Sequence, residues 1–463
     1  MAHLHTLSAV ALSKAFARHS LSPLEVTQAV IAQIERCEPR LNALYAYDPE
    51  AALAQASASE ARWARGEPLS PLDGVPGTLK ENLATQGCPM PVGTAASDLV
   101  PMAEDSPPAA RWREAGLVLL AKTTMPDYGM LSSGLSSFHP LARNPWDTRL
   151  TPGGSSAGAG AAAAGGYGPL HVGTDIGGSV RLPAGWCGLV GLKPSAGRVP
   201  IKPAYVGRVA GPMTRTVADC AALMAVLSRP DWRDTTSLPP QAIAWTLAGR
   251  ELRGLKLGLL MDAGWGLDVD PETRAAVQAA ALALQAAGAS VEPLAPFCTR
   301  AMADGMDRFW RMRSYLDMNA LPEARRAKVL PYIRDWVATG ATLSAADVFT
   351  GYSQIAALRE AAVTACQPFD FVLSPTSPVP SFPAEWASPL NDPARPFEHI
   401  AHTLPYNMSE QPALSINCGF TAAGLPIGLQ IIGHRHDDLG VLQLGAAYEQ
   451  LRGALRPWPM DLA

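Results

Sequence analysis

A chain of 463 residues, 48% of them hydrophobic, is long enough for one large or two to three ordinary domains around a sizeable core. Its net charge of −4 gives no reason to expect nucleic acid or an anionic membrane as partner. Seven scattered cysteines without a C-x-x-C, no basic cluster before the short apolar stretch at 7–12, and no apolar run of bilayer length exclude a disulfide scaffold and argue against a secretory leader or a membrane span; a cytoplasmic protein with reduced thiols is expected.

In chain order, Ser22-Pro23-Leu24-Glu25 combines a serine cap, a proline at the first helical position and a glutamate three residues on. Val26, Val30, Ile31 and Ile34 then share one face, which predicts a helix to about Cys37. Residues 42–47 read as a short strand, and Asp48-Pro49-Glu50 opens an alanine-rich helix to about Arg65. A turn-rich approach, 66–77, leads into a short apolar strand ending at Lys80. Residues 111–115 look helical, 117–121 form a buried strand, and 128–138 lack periodicity, as suits a pocket-lining loop. Arg143-Asn144-Pro145-Trp146 is a turn with an aromatic anchor. The almost pure alanine of 159–164 predicts a close-packed helix whose positive N-terminal end points back at Ser155. Residues 170–172 are a strand, 183–193 continue apolar and glycine-rich, and 211–216 turn into a helix to about Leu227. The Pro-, Asp- and Thr-bearing stretch 229–249 reads as a linker. A βαβ-like unit follows: strand 255–261, a helix capped by Asp270-Pro271-Glu272 to about Ala287, and a strand from Ser290. Residues 302–365 are largely helical, 371–374 and 425–432 are strands, and 439–451 form the last helix. Alternating strands and helices without internal repeat argue for an α/β fold on one large sheet.

Two small-residue loops carry the chemistry, 151–158 with Ser155 and 173–181 with Ser179, the two serines 24 residues apart. Adjacent glycines strip away the side chains that would cover a serine hydroxyl and leave bare N–H groups around it. That is a nucleophile with donors waiting where an oxyanion forms. Lys80 at a strand end is a candidate base if buried, since burial lowers an amine's pKa; a solvated strand end is the plainer reading. Other signatures fail. No phosphate-binding G-x-x-x-x-G-K-[ST] is present, and Gly158-Ala159-Gly160 lacks both the third glycine and the preceding strand of a dinucleotide loop. His3-Leu4-His5 and His434-Arg435-His436 have H-x-H spacing but sit at a terminus and in a charged turn, so no metal or other cofactor is expected. Gly154-Ser155-Ser156-Ala157-Gly158 fits a G-x-S-x-G nucleophile elbow at Ser156, yet polar residues closed by Pro152 stand where the elbow needs a hydrophobic strand.

Gly153-Gly154-Ser155-Ser156-Ala157-Gly158 and Gly173-Thr174-Asp175-Ile176-Gly177-Gly178-Ser179-Val180-Arg181-Leu182-Pro183 resemble the signature region of the amidase signature family. The Lys80 segment, Lys122-Thr123-Thr124-Met125, Asn144-Pro145-Trp146, the segment 211–219 and Gly424-Leu425-Pro426-Ile427-Gly428-Leu429-Gln430 match in the same order. The resemblance covers nearly the whole chain and is densest over 73–222. It implies one α/β domain over 1–463 with a central mixed sheet covered by helices: a helical segment 1–70, a signature core 71–228, a variable region 229–370 and a C-terminal part of the sheet 371–463. It also implies a Ser-Ser-Lys triad. Ser179 is then the acylated nucleophile, Ser155 (after a cis peptide bond) the proton relay, and Lys80 the general base and later proton source. The N–H groups of Ile176, Gly177, Gly178 and Ser179 form the oxyanion hole, Gly129, Met130 and Ser155 contact substrate, and Asp175, Arg181, Gly154 and Ser156 support the site.

The sequence departs from the family pattern at Glu81-Asn82, where an aspartate is common, at Ala157 in place of a glycine, and at Thr124 in place of an asparagine. None removes a catalytic group. The leading expectation is a stand-alone amidase acting on a small-molecule amide, with carbamates, ureas or esters as variants on the same scaffold. The alternative is the glutaminase subunit of a tRNA-dependent amidotransferase, active only within a complex; no basic patch or appended tRNA-binding segment is visible. An inactive homologue is the third reading, which an intact triad disfavours. Homodimers are common in the family, but nothing in the sequence specifies an interface.

Overall fold

The computed structural model describes residues 4–248 and 250–461. His3 of the first H-x-H pair and Gly249 at the end of the 229–249 stretch lie outside the described residues.

Among the described residues eleven strands form one mixed sheet: β1 (Leu44–Tyr45), β2 (Pro76–Lys80), β3 (Val118–Thr123), β4 (Leu170–Asp175), β5 (Val190–Lys193), β6 (Val209–Thr214), β7 (Lys256–Leu259), β8 (Ser290–Pro293), β9 (Phe371–Pro375), β10 (Ala413–Phe420) and β11 (Pro426–Ile432). Their spatial order is β1-β3-β2-β4-β6-β5-β10-β11-β9-β7-β8. Parallel pairs lie toward the two ends, β3-β2-β4 on one side and β9-β7-β8 on the other. The strands between are antiparallel, with β5 of the first half paired to β10 of the second. Helices flank the sheet, as expected for the α/β class.

Local signals explain most elements. Ser22 and Glu25 complete a capping box over the helix Pro23–Leu41. That helix runs four residues past the expected end and stops at Asn42, whose φ of 50° is the left-handed cap that asparagine tolerates. The strand expected over 42–47 is therefore reduced to Leu44–Tyr45, with Ala46 also at positive φ. Asp48 and Asp270 cap the helices Pro49–Ala64 and Pro271–Ala286. The latter connects parallel strands β7 and β8, the βαβ unit read from sequence. The helix expected over 111–115 begins earlier, at Pro107 behind Ser106.

Two stretches hold elements that the sequence reading did not anticipate. The stretch read as glycine-rich and apolar, 183–193, holds a short helix, Arg181–Cys187, and then β5. The stretch read as a turn, 211–216, is strand β6, which carries Pro212 opposite Val172. On its other side β6 pairs with β5 only at Met213 and Thr214, so the ladder there stops short of the proline.

The main core fills the space between the sheet and helices such as Pro23–Leu41, Val217–Leu227 and Asp438–Leu451. A second apolar cluster joins Leu182 and Trp186 to Met306, Trp310, Trp336 and Ile400. It thus ties the signature helix to the long helices Arg300–Asn319 and Ala345–Cys366. No helix among the described residues is long and apolar enough to cross a membrane.

Candidate active site

The site forms where parallel strands β2 and β4 end side by side. Leu79 pairs with Val172, so β2 delivers Lys80 and β4 delivers Asp175 to the same edge of the sheet. Carboxyl ends of neighbouring parallel strands are where α/β sheets place ligands.

Lys80 has no solvent exposure, and its Nζ donates to Ser155 Oγ at 2.7 Å. Burial pushes the ammonium down to about 7; the nearby Arg208 charge adds to this, while Asp175 and Glu81 oppose it. A neutral amine is therefore accessible at this position near neutral pH. The Gly154–Ser155 peptide bond is cis. Ser155 sits beside Gly129, at which an added Cβ would come within 3.3 Å of the Ser155 hydroxyl.

Ser156, the residue of the rival elbow, is fully buried. It precedes the helix Ala157–Gly165, its hydroxyl donates to the Thr174 carbonyl at 3.2 Å, and it accepts from the Thr174 N–H at 3.3 Å. Its N–H donates to the Ser179 carbonyl at 3.2 Å, which ties the two serine loops together. Gly173 permits this approach, since a Cβ there would lie 2.6 Å from Ser156 Oγ. Ser156 is thus a brace between loops. Ser155→Ala is expected to slow acylation about 10³-fold and Ser156→Ala less than about 10-fold, as single-turnover rates would read. The reverse order would restore the elbow reading.

The loop after β4 folds around the Asp175 carboxylate, which accepts from the N–H groups of Gly178 (2.8 Å) and Val180 (3.1 Å). Arg181 grips the same carboxylate through Nε and Nη2, both at 3.0 Å, and Asn407 Nδ2 donates to it at 2.8 Å. Burial alone would raise this carboxyl; the charge of Arg181 and the hydrogen bonds hold it well below the usual range. Arg181 in turn donates to the Thr403 carbonyl, Gln430 Oε1 and Asn407 Oδ1. Of the four N–H groups assigned to the oxyanion hole from sequence, that of Gly178 is already given to Asp175. Those of Ile176, Gly177 and Ser179 make no hydrogen bond to the described residues. Gly178 takes φ 132°, and a Cβ there would meet Thr403 Oγ1 at 2.7 Å.

Ser179 opens onto a cavity of about 460 Å³, within the range of small-molecule sites. Gly129 and Met130 line it, as do Ile176 and Gly177. The Ser179 hydroxyl makes no hydrogen bond to the described residues. Sequence reasoning looked to the variable loops and to 302–365 for further pocket side chains but named none of them; they include Arg208 from the loop before β6, Trp310 and Arg313 from the helix Arg300–Asn319, and Phe397 and Ile400 from the segment before β10. Gly177 faces this apolar wall, where a Cβ would come within 3.2 Å of Ile400 and 3.6 Å of Trp310. Trp310 and Phe397 meet edge to face with centroids 5.1 Å apart.

Of the departures from the family pattern, Asn82 lines the cavity, while Glu81 and Thr124 do not. Glu81 is buried against His139 and accepts from the Gly93 N–H. Asn82 Nδ2 reaches Thr174 Oγ1, and Thr124 Oγ1 bonds the carbonyls of Asn42 and Ala43. No group of three or more His, Cys, Asp or Glu among the described residues could hold a metal ion.

A family model described as Amidase matches residues 25–442. A glutamyl-tRNA(Gln) amidotransferase subunit from Myxococcus xanthus is 37% identical over 96% of this chain and 97% of its own, and its counterpart from Chloroflexus aggregans is 33% identical over 97% of each. Among solved structures, a bacterial aryl acylamidase of the amidase signature enzymes superposes with a TM-score of 0.90 at 29% identity, covering 99% of both chains. The peptide amidase of Stenotrophomonas maltophilia gives 0.83 at 25% identity over 98% of this chain and 99% of its own.

Proposed function

Since the chain belongs to the amidase signature family, enzymes that act on amide C–N bonds, we propose that it hydrolyses a carboxylic amide through an acyl-enzyme on Ser179. The observation that carries this reading is the fully buried Lys80, held near neutrality and hydrogen-bonded to Ser155.

In the proposed sequence neutral Lys80 draws the Ser155 proton as Ser155 takes that of Ser179, and Ser179 Oγ bonds to the amide carbon. The carbonyl electrons move to an oxyanion that the N–H groups of Ile176, Gly177 and Ser179 receive. Return of the proton from Lys80, through Ser155, to the amide nitrogen lets the C–N bond break and ammonia or an amine depart. Water then attacks the ester by the same relay in reverse, releasing the acid. Asp175 and Arg181 take no proton; they hold the loop that aims the donors.

Two substrates fit this chemistry. The wall of Trp310, Phe397 and Ile400 next to Gly177 supports an apolar or aryl amide handled by the chain alone. The names of the curated relatives favour the second reading, glutamine hydrolysis within a tRNA-dependent amidotransferase. Hydrolysis of acetamide, benzamide, an anilide, a dipeptide amide, an aryl carbamate and glutamine by the purified chain separates them. On the first reading benzamide or the anilide exceeds acetamide in kcat/KM by about 10-fold or more. Glutamine turnover that appears only after partner subunits are added, with the other amides untouched, would favour the second.

A further inference from the structure

Among the charged groups around the cavity, Arg208 stands apart. Glu104 is paired with Lys202 at 2.6 Å, Asp105 with Arg113 at 2.8 Å, and Arg313 with Asp317 at 3.7 Å. Arg208 forms no ion pair with any described residue. Its guanidinium donates to two main-chain carbonyls, that of Pro203 at 2.9 Å and that of Asn82 at 3.4 Å, two residues beyond the catalytic lysine. These bonds fix the fork in place and leave further N–H groups unspent.

A second guanidinium faces the same cavity. Arg313 Cζ lies over the Tyr205 ring, 4.0 Å from its centroid, a cation–π contact that restrains the guanidinium. The two cations feel one another: burial and the Arg313 charge together push Arg208 down to about 10. Both guanidiniums line one cavity, Arg208 half-buried and Arg313 exposed, and repel; Glu104 and Asp105 are already engaged, and Asp317 stays with Arg313. An anion between them would remove the repulsion and fill donors that planar, bidentate carboxylate recognition requires. The apolar wall of Trp310, one turn before Arg313 on the same helix, and Phe397 suits an aromatic or apolar body joining that anion to the amide.

We propose that Arg208, with Arg313 beside it, docks a carboxylate carried by the substrate, so that the amide cleaved at Ser179 belongs to an amido acid with an apolar or aryl spacer. This rests on the amide-hydrolase reading of the Ser179 cavity. It makes Arg208 and Arg313 specificity-determining residues for that reaction.

The test measures how well two isosteres protect Ser179 from covalent labelling by a fluorophosphonate: 4-acetamidobenzoate, which carries the carboxylate, and 4-nitroacetanilide, which is neutral and of similar shape. The acid is expected to protect the wild-type enzyme at a concentration lower by about 10-fold or more. Arg208→Met should bring the two within about 2-fold, Arg208→Lys should retain part of the preference, and Arg313→Gln should weaken it. Equal protection by the two compounds in the wild type, or an acid preference that survives Arg208→Met, would overturn the proposal. Should Arg208→Met not fold, as judged by its melting curve, the wild-type comparison and Arg313→Gln decide the matter: an unchanged preference in the latter overturns it. Failure of the phosphonate to label Ser179 would instead remove the amide-hydrolase reading itself, whereas clean labelling without acid preference removes this inference alone.

Discussion

Ser179→Ala is expected to abolish phosphonate labelling and to lower kcat on any amide the enzyme turns over by on the order of 10⁴- to 10⁶-fold. The residue sits on a loop whose shape is set by Asp175, Arg181 and Asn407, none of which touches its hydroxyl. The variant should therefore fold and melt like the wild type. A residual rate above that of free solution would measure what the waiting N–H groups achieve without a nucleophile. Undiminished labelling at another serine would sink the assignment of Ser179.

Lys80→Ala ranks second, with an expected loss of about 10³- to 10⁴-fold in the rate of acylation. Because Lys80 and Ser155 act as one relay, the double variant Lys80→Ala/Ser155→Ala should be little slower than either single one. Near-wild-type turnover would exclude Lys80 as the base. The wild-type kcat/KM should rise with pH and level off above about 7, the value to which burial and Arg208 bring this amine. The same shift predicts a stability effect of definite sign. The unfolded lysine keeps its proton to its ordinary value near 10.5, whereas the folded one releases it near 7, so between these values the unfolded state binds more protons. The stability that Lys80 costs the fold is thus fully felt below about pH 7 and is relieved as the pH climbs toward 10.5. Lys80→Met, which removes a buried amine while keeping its volume, should raise the melting temperature most at acidic pH. Calorimetry across pH 6–9 reads this directly, and a gain that grows with pH would contradict the assigned direction.

How far the sequence reveals this molecule depends on whether a signal is local. Ser22 with Glu25, and Asp270 with Pro271, announce helices because capping is settled within four residues. The strand end at Lys80 and the two glycine loops are legible for the same reason, and the family resemblance supplies their relation. The helix Arg181–Cys187 is hidden because every one of its residues is buried, so no polar face gives it a period. Strand β6 is hidden because Gly211-Pro212 reads as a turn unless one knows that the neighbouring ladder ends before the proline. The cavity walls are the least legible part. Arg208, Trp310, Phe397 and Ile400 come from three separate segments, and only the packing of the long helices against the signature core brings them together. The engagement of Gly178 by Asp175 is likewise invisible in a run of glycines that offers four equivalent donors.

Arg181 clasps Thr403, Asn407 and Gln430, residues 222 to 249 positions further along the chain. During synthesis the ribosome has already released the nucleophile and its lysine when these partners are still unmade, and β5 is still waiting for β10. Such late, distant closures slow folding and leave an early chain with open strand edges. A nascent protein of this topology therefore carries Lys80, Ser155 and Ser179, the triad proposed above, long before the loop around Asp175 has its distant partners. On the proposed mechanism the Arg181 clasp closes only once strand β11 has been made, so chains cut short before Gln430 are expected to be inactive.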